Sequence, residues 1–394
     1  MKGKAYVGGV GMIPFTKPGR SETYDVMAEQ AVRAALADSG VTFDQVQQAY
    51  AGHVYGDSTC GQRGLYRVGM SGIPVVNVNN NCATGSSALW LARQAVESGA
   101  VDCALAFGFE QMVPGPLPSK WDDRPRALGR FNDVLADLGV VDENAPKAAL
   151  FFGAAGAAYA EKYDVSPDFF ARVSVKARKH AAQNPYAVFR DLVTYEQVLE
   201  SPRLYGPVTR LQACPPTCGA AAAIVYSEAF AKRHGLRTDV RIAAQALTTD
   251  YPDTFDHDPL DLVGRELTVT AAQRVYEEAG VSPSDIRVVE LHDCFTVNEV
   301  LVAEQLGLTP EGGSEKFILE GDNTYGGKVV INPSGGLLSK GHPLGATGLA
   351  QCTELVWQLR GQADARQVDD VTLALQHNLG LGGACVVTLY EKVA

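Results

Sequence analysis

The chain has 394 residues, 46% hydrophobic and 20% charged, a balance that describes a globular fold rather than a disordered or fibrous one. That length buries a large core and reads as more than one domain. The formal net charge of −11 argues against a nucleic-acid binder, whose surface must neutralise phosphates, but leaves room for a local basic pocket.

The first residues, Met1-Lys2-Gly3-Lys4, lead into a short apolar strand and do not have the shape of a signal peptide. Uncharged segments are broken by Pro, Gly and Asn, so none reads as a membrane span. The final tripeptide is not a peroxisomal signal. Eight scattered cysteines without a secretion signal imply reduced thiols and a cytoplasmic protein.

In chain order, Ala5 to Gly11 is a strand whose Gly8-Gly9-Val10-Gly11 run marks a turn, since no G-x-G-x-x-G is completed and no helix opens from it. A helix runs from about Thr23 to Ser39 and closes at Gly40. Gln48 to His53 is the next strand, and Ile73 to Val78 another. Then comes Asn79-Asn80-Asn81-Cys82-Ala83-Thr84-Gly85-Ser86-Ser87, opening a helix to about Ser98. Asn is a good N-cap former, and the N–H groups and dipole of a helix start favour a thiolate at Cys82. Cys82 therefore reads as a nucleophile or, equally, as a buried structural thiol.

Val101 to Phe109 is a buried strand, and composition shifts at Met112 to Pro118. An irregular, mostly helical excursion follows, carrying Arg172, Lys176, Arg178, Lys179 and Arg190, before Gly219 to Tyr226 returns as a strand. The second half then echoes the first. Thr270 to Val289 matches Ala28 to Tyr50, and Ala346-Thr347-Gly348 matches Ala83-Thr84-Gly85, each displaced by roughly 240–260 residues. A duplicated α/β domain follows, with matching helix starts converging on one cleft, so that Cys82 can meet the loop around His342.

That loop is Asn332-Pro333-Ser334-Gly335-Gly336 followed by Gly341-His342-Pro343-Leu344-Gly345, where dense glycine allows close approach to an imidazole. Its His either does proton work or caps a carbonyl. His292-Asp293-Cys294-Phe295 follows an apolar strand. Period two puts His292 and Cys294 on one face, which suits a donor and an acid/base thiol better than a zinc site. Cys214 and Cys218, around Pro215-Pro216, read as structural. Asn378 to Gly383 reads as a further Gly-rich loop whose N–H groups suit an oxyanion hole, and His377 at its edge reads equally as a core histidine.

These motifs, with Gly321-Asp322-Asn323-Thr324-Tyr325-Gly326-Gly327 and Gln376-His377-Asn378-Leu379-Gly380, resemble the thiolase superfamily over essentially the whole chain. Within it they are similar to the sterol-carrier-protein-2-type thiolases, which bear a His-Asp-Cys-Phe motif. The resemblance implies a thiolase fold: two similar βαβαβαββ halves in an α-β-α-β-α layered core plus a mostly helical loop domain. The expected division is 1–113 with 213–236 as the N-terminal half, 114–212 as the loop domain and 237–394 as the C-terminal half.

By the same resemblance Cys82 takes up the acyl group and His342 activates it. His292 is the second donor of a first oxyanion hole, and the N–H groups of Cys82 and Gly380 form a second. Most thiolases carry their acid/base cysteine in the last Gly-rich loop, where this chain has His377, so Cys294 takes that role. Cys385 lies inside the final predicted strand and does not replace it. Cys218 stands where relatives commonly have Asp, with a local structural effect expected. The reaction implied is CoA-dependent cleavage of a 3-oxoacyl-CoA, or its reverse, with no metal or bound cofactor and with coenzyme A as substrate. Arg172, Lys176 and Lys179 are the candidates for its phosphates. A homodimer or homotetramer is implied. The alternatives are a condensing enzyme, a retro-aldol or acyltransferase subunit needing a small accessory protein, and an inactive lipid- or acyl-CoA-binding relative. A separate sterol-carrier domain is not expected.

Overall fold

Apolar runs with few charges form the strands, and glycine in the left-handed region closes several of the helices between them, as Gly40 (φ 72°), Gly280 (φ 68°) and Gly361 (φ 71°) do. The computed structural model describes residues 3–115 and 123–393. The first half contains β1 (Ala5–Met12), α1 (Tyr24–Ser39), β2 (Gln48–Gly52), β3 (Val75–Val78), α2 (Thr84–Glu97) and β4 (Cys103–Glu110). An excursion of helices follows, including α3 (Ala171–Ala181), and ends in a small hairpin, Arg203–Tyr205 with Val208–Thr209. The Pro- and Gly-rich stretch expected at its start falls partly outside the described residues, at 116–118.

β5 (Gly219–Ser227) returns to the first half. The second half contains β6 (Val240–Thr248), α4 (Arg265–Ala279), β7 (Val288–Glu290), α5 (Thr296–Gln305), β8 (Val330–Ile331), α6 (Thr347–Arg360), β9 (Leu373–Gly380) and β10 (Ala384–Lys392). Ten strands hydrogen-bond in the order β8-β7-β9-β10-β6-β1-β5-β4-β2-β3. From either edge inward the topology is the same. Three strands are parallel, and the next two add antiparallel. The duplication read from two short echoes is thus carried by every strand. The half-sheets meet at one antiparallel pair, Tyr6 opposite Arg241.

Side-chain alternation sorts the layers. On β5, Ala220, Ala222 and Ile224 pack with Met27, Ala28 and Ala31 of α1, whereas Ala221, Ala223 and Val225 face the opposite way. That second face joins Leu89 and Ala92 of α2, Leu349 and Leu355 of α6, and Val288 and Ala374 of the other half-sheet. α4 covers the outer face of the second half-sheet through Leu267, Ala271 and Val275. The order is α1, half-sheet, α2 with α6, half-sheet, α4, the expected five layers. Among the described residues no helix is long and apolar enough to cross a membrane.

The loop leading into α6 is wedged between the halves where side chains have no room. A Cβ on Gly108 of β4 would lie 2.0 Å from the Gly345 carbonyl oxygen, and one on Gly348 would lie 2.1 Å from Ser86 Oγ. Buried carboxylates hold this loop. Glu110 accepts from the N–H groups of Val54, Tyr55 and Gly345, each at 3.0 Å. Glu290 accepts from Ser334 N (3.0 Å) and Oγ (2.8 Å) and pairs with Lys340 at 3.4 Å, both side chains fully buried. Gly108→Ala forces β4 and the Gly345 loop apart. Chemical denaturation should show a loss of about 3 kcal/mol, and an unchanged midpoint would mean that the wedge relaxes freely.

Candidate active site

β3 stops at Val78 and α2 begins at Thr84, leaving Cys82 on a tight turn that Asn81 enters with φ 50°. Asn tolerates that region because its short amide can bond locally. The three asparagines do not cap α2 as expected. Its N-cap is Ala83, with no side-chain cap bond. They brace the turn instead. Asn80 N donates to Thr84 Oγ1 (2.9 Å), Asn80 Nδ2 to Ser87 Oγ (2.9 Å), and Asn81 Nδ2 reaches across to Leu381 O (2.9 Å). Cys82 keeps part of its surface open but is walled in by protein. Burial pushes its thiol up to about 12, and the Glu110 carboxylate adds to this. Desolvation outweighs the helix start, so the resting group is a neutral thiol rather than the expected thiolate.

His342 enters from the glycine-rich loop, where Gly341 has φ 121°. Its N–H donates to Thr217 Oγ1, and Pro216 bridges to it in parallel register. Its Nδ1 lies 2.7 Å from Thr347 Oγ1, whose own proton goes to Pro343 O at 3.0 Å. The hydroxyl must therefore accept from Nδ1–H, which leaves a bare lone pair on Nε2. That atom is buried and has no hydrogen-bond partner among the described residues. Burial lowers the imidazole to about 3, so it rests neutral, as a base.

α5 begins at Thr296, directly after the His-Asp-Cys-Phe motif, and the strand expected to precede that motif, Val288 to Leu291, is observed as Val288–Glu290. The alternation persists in the extended segment beyond it. Asp293 turns inward to accept Leu337 N at 2.7 Å, while His292 meets His342 edge-to-face with ring centroids 5.0 Å apart. Cys82 Sγ and one ring nitrogen each of His292 and His342 all lie within 4.8 Å of one another. Three such donors also suit a soft divalent cation. His292 is lowered well below its ordinary value by burial first, then by His342 and His377.

Cys294 is buried beside this group. Its thiol is pushed well up by burial, then by Cys214 and Cys82. Cys214, read as structural, belongs to the site. It faces Cys294 in an antiparallel pairing where Ala213 opposes Phe295, and its N–H donates to Cys294 O at 2.8 Å. No sequence spacing links positions 214 and 294; the same segment continues to Pro216, which bridges to His342. Cys218 is structural, its sulfur accepting from Met112 N at 3.2 Å.

The last Gly-rich loop is shorter than expected. β9 runs through His377 and Asn378 to Gly380, leaving only Leu381 to Gly383 as the turn. His377 is a core histidine, with Nε2 3.1 Å from Thr268 Oγ1 and Nδ1 accepting from His292 N at 3.4 Å. Cys385 lies in β10, fully buried. Gly380 comes close to the nucleophile turn, where a Cβ would lie 2.2 Å from Asn80 O.

Of the basic candidates on α3, Lys176 is buried rather than presented to solvent. Its stem turns inward and its ammonium pairs with the buried Glu299 and donates to Ile331 O at 3.2 Å, so it does not meet phosphates. Lys179 is exposed, and exposed Arg172 lies over the Tyr195 ring at 4.3 Å.

Comparison with known proteins places residues 6–229 with the thiolase N-terminal domain and 256–390 with the thiolase C-terminal domain-like family. Sterol carrier protein 2 of Gallus gallus is 50% identical over 395 residues, covering 99% of this chain and 72% of that protein. Among solved structures, the Ltp2–ChsH2(DUF35) aldolase superposes with TM-score 0.82 at 24% identity, covering 99% of this chain and 98% of that one. Human mitochondrial 3-ketoacyl-CoA thiolase in complex with CoA superposes with TM-score 0.75 at 20% identity, covering 100% and 98%.

Four of the five buried imidazoles among the described residues give the fold an acid limit. Burial lowers His180 to about 4, His342 and His377 to about 3, and His292 in the same direction. Below about pH 6.5 the unfolded chain binds protons that the folded one refuses. Stability is therefore intact above that pH and falls as pH drops toward 3–4, by roughly 1.4 kcal/mol per pH unit for each imidazole. Urea titrations at pH 7, 6 and 5 should show this, and equal stability at all three would contradict neutral buried histidines.

Proposed function

The chain belongs to the thiolase family and is a thiolase-type acyltransferase, and we propose that it cleaves 3-oxoacyl-CoA with CoA, releasing acetyl-CoA or propanoyl-CoA, or runs the reverse condensation. The observation that carries this reading is the convergence of Cys82 Sγ and the ring nitrogens of His292 and His342 within 4.8 Å, with Cys294 alongside. Likeness to sterol carrier protein 2 supports fatty, branched or sterol side-chain acyl groups as substrates.

His342 Nε2 takes the Cys82 proton as sulfur attacks the 3-keto carbon. The bond between C2 and C3 breaks, its electron pair passing into the enolate of the departing acyl-CoA. His342, now protonated at Nε2, and His292 donate to the enolate oxygen, and Cys294 protonates C2. An imidazolium costs a great deal in so dry a site, so it forms only where the substrate's developing negative charge offsets it. CoA then enters, Cys294 thiolate takes its proton, and its sulfur attacks the thioester on Cys82. The N–H groups of Cys82 and Gly380 hold the second oxyanion. Collapse releases the shortened acyl-CoA, and Cys82 recovers its proton from His342. Arg172 and Lys179 are the proposed phosphate contacts.

We also assign the β3 edge as the surface for a second copy. Among the described residues β3 has a partner strand on one side only, and Val76, Tyr66 and Met70 are exposed on or beside it. Sedimentation should give a dimer or tetramer, with Val76→Lys shifting it toward monomer. A monomeric wild type overturns that assignment.

Incubation with a panel of 3-oxoacyl-CoA esters and CoA, read by mass, tests the reaction. Cys82→Ala should abolish covalent acylation. Cys294→Ala should still acylate from a thioester but lose α-proton exchange of acetyl-CoA. Normal thiolysis by Cys294→Ala would exclude the two-thiol mechanism, and no product from any ester would favour a partner-dependent subunit or a binding protein.

A further inference from the structure

His292 and His342 share a site and nearly the same burial, yet the reaction needs one as a base and the other as a permanent donor. Which nitrogen carries the proton is set by what the other nitrogen meets. For His342 the Thr347 hydroxyl settles it. For His292 the answer lies in a line of buried groups behind the ring.

His292 Nδ1 lies 3.1 Å from Asn378 Nδ2. Asn378 Oδ1 lies 2.8 Å from Ser86 Oγ, which lies 2.8 Å from Gln376 Nε2. The Gln376 amide is oriented by two neighbours. One end lies 2.6 Å from the Gly348 carbonyl, which can only accept, so this end is the NH2 group. The other accepts from the Tyr390 hydroxyl at 2.5 Å. With its amide fixed, Gln376 donates to Ser86 Oγ, and the single Ser86 proton is left to point at Asn378. The Asn378 oxygen is therefore the acceptor, and its NH2 faces His292. Nδ1 must accept, and the proton sits on Nε2. Ser86, Gln376, Asn378 and Tyr390 are all fully buried, so no water competes with this ordering.

We propose that Asn378, held by Ser86 and Gln376, is the positioning residue that locks His292 as an Nε2–H donor, the opposite tautomer to His342, so that the two imidazoles cannot exchange roles. The proposal rests on the thiolase reading for its catalytic meaning, but the tautomer itself does not. The line crosses between the halves, since Ser86 belongs to α2 and the other members to the second half. It passes through the gap that Gly348 leaves, where a Cβ would lie 2.1 Å from Ser86 Oγ and 2.6 Å from Asn378 Oδ1.

The test is nitrogen-15 NMR of the full-length protein with labelled histidine at pH 7, the His292 signals being assigned by their loss in His292→Asn. Wild type should show a protonated Nε2 and a bare Nδ1 at His292, and the reverse pattern at His342. A proton on Nδ1 of His292 overturns the proposal without needing any variant or any turnover. Asn378→Leu removes the donor while keeping similar bulk. It should give mixed tautomers at His292 and lower kcat by about 10- to 100-fold, with KM for CoA changed less than about threefold. A variant that keeps the pure Nε2–H pattern and a kcat within about twofold of wild type likewise overturns it. If wild type shows the expected tautomers but cleaves no 3-oxoacyl-CoA, the thiolase reading fails while this inference stands.

Discussion

Everything at the site depends on two helix starts being pressed together with almost nothing between them. α2 begins behind Cys82, α6 begins behind His342, and each belongs to a different half of the chain. Gly85, Gly108, Gly345 and Gly348 remove the side chains that would separate them; a Cβ on Gly85 would come within 2.9 Å of the Gly345 carbonyl. Close approach excludes water, and dryness determines the chemistry. It leaves thiols and imidazoles neutral at rest, so that charge appears only when a substrate is present to share it.

The same dryness makes polar satisfaction unforgiving, and the buried carboxylates around the site gather several donors each. Glu110 collects three backbone N–H groups from two loops, Glu290 collects Ser334 and Lys340, and Glu299 collects Lys176 and Asn323. Removing one member of such a pair would strand a buried charge, at a cost of about 3–5 kcal/mol. Among the described residues His342 Nε2 has no such partner, at the point where a proton must arrive.

Much of this was legible in the sequence because it rests on local signals. Glycine closures, apolar runs and the echo of Ala83-Thr84-Gly85 in Ala346-Thr347-Gly348 located the strands, the helices and the convergence of Cys82 with His342. What escaped was decided across long sequence separations. Lys176 sits among other basic residues, and nothing in that run shows that its side chain turns toward Glu299. Cys214 joins Cys294 through a cross-strand pairing that no spacing encodes. The three asparagines have the composition of a cap, but tertiary partners such as Leu381 O claimed one of them. The glycines that follow make Asn378 read as loop, whereas β9 continues to Gly380; the core-histidine reading of His377 matches its full burial. The Cys82 thiol shifts opposite to the expectation, since a helix start is visible in sequence and desolvation is not.

The central core has a consequence for how the chain is made. Its apolar faces come from both half-sheets and from α2 and α6 together. When the first half leaves the ribosome, the inner faces of β1, β4 and β5 are covered on one side by α2 alone, and residues 347–360 have yet to be synthesised. For the time needed to translate more than a hundred further residues, an apolar surface built for an intramolecular partner faces the solvent. The interval between β5 and α6 is therefore the chain's exposed period, in which a nascent half is most open to meeting another nascent half instead of its own.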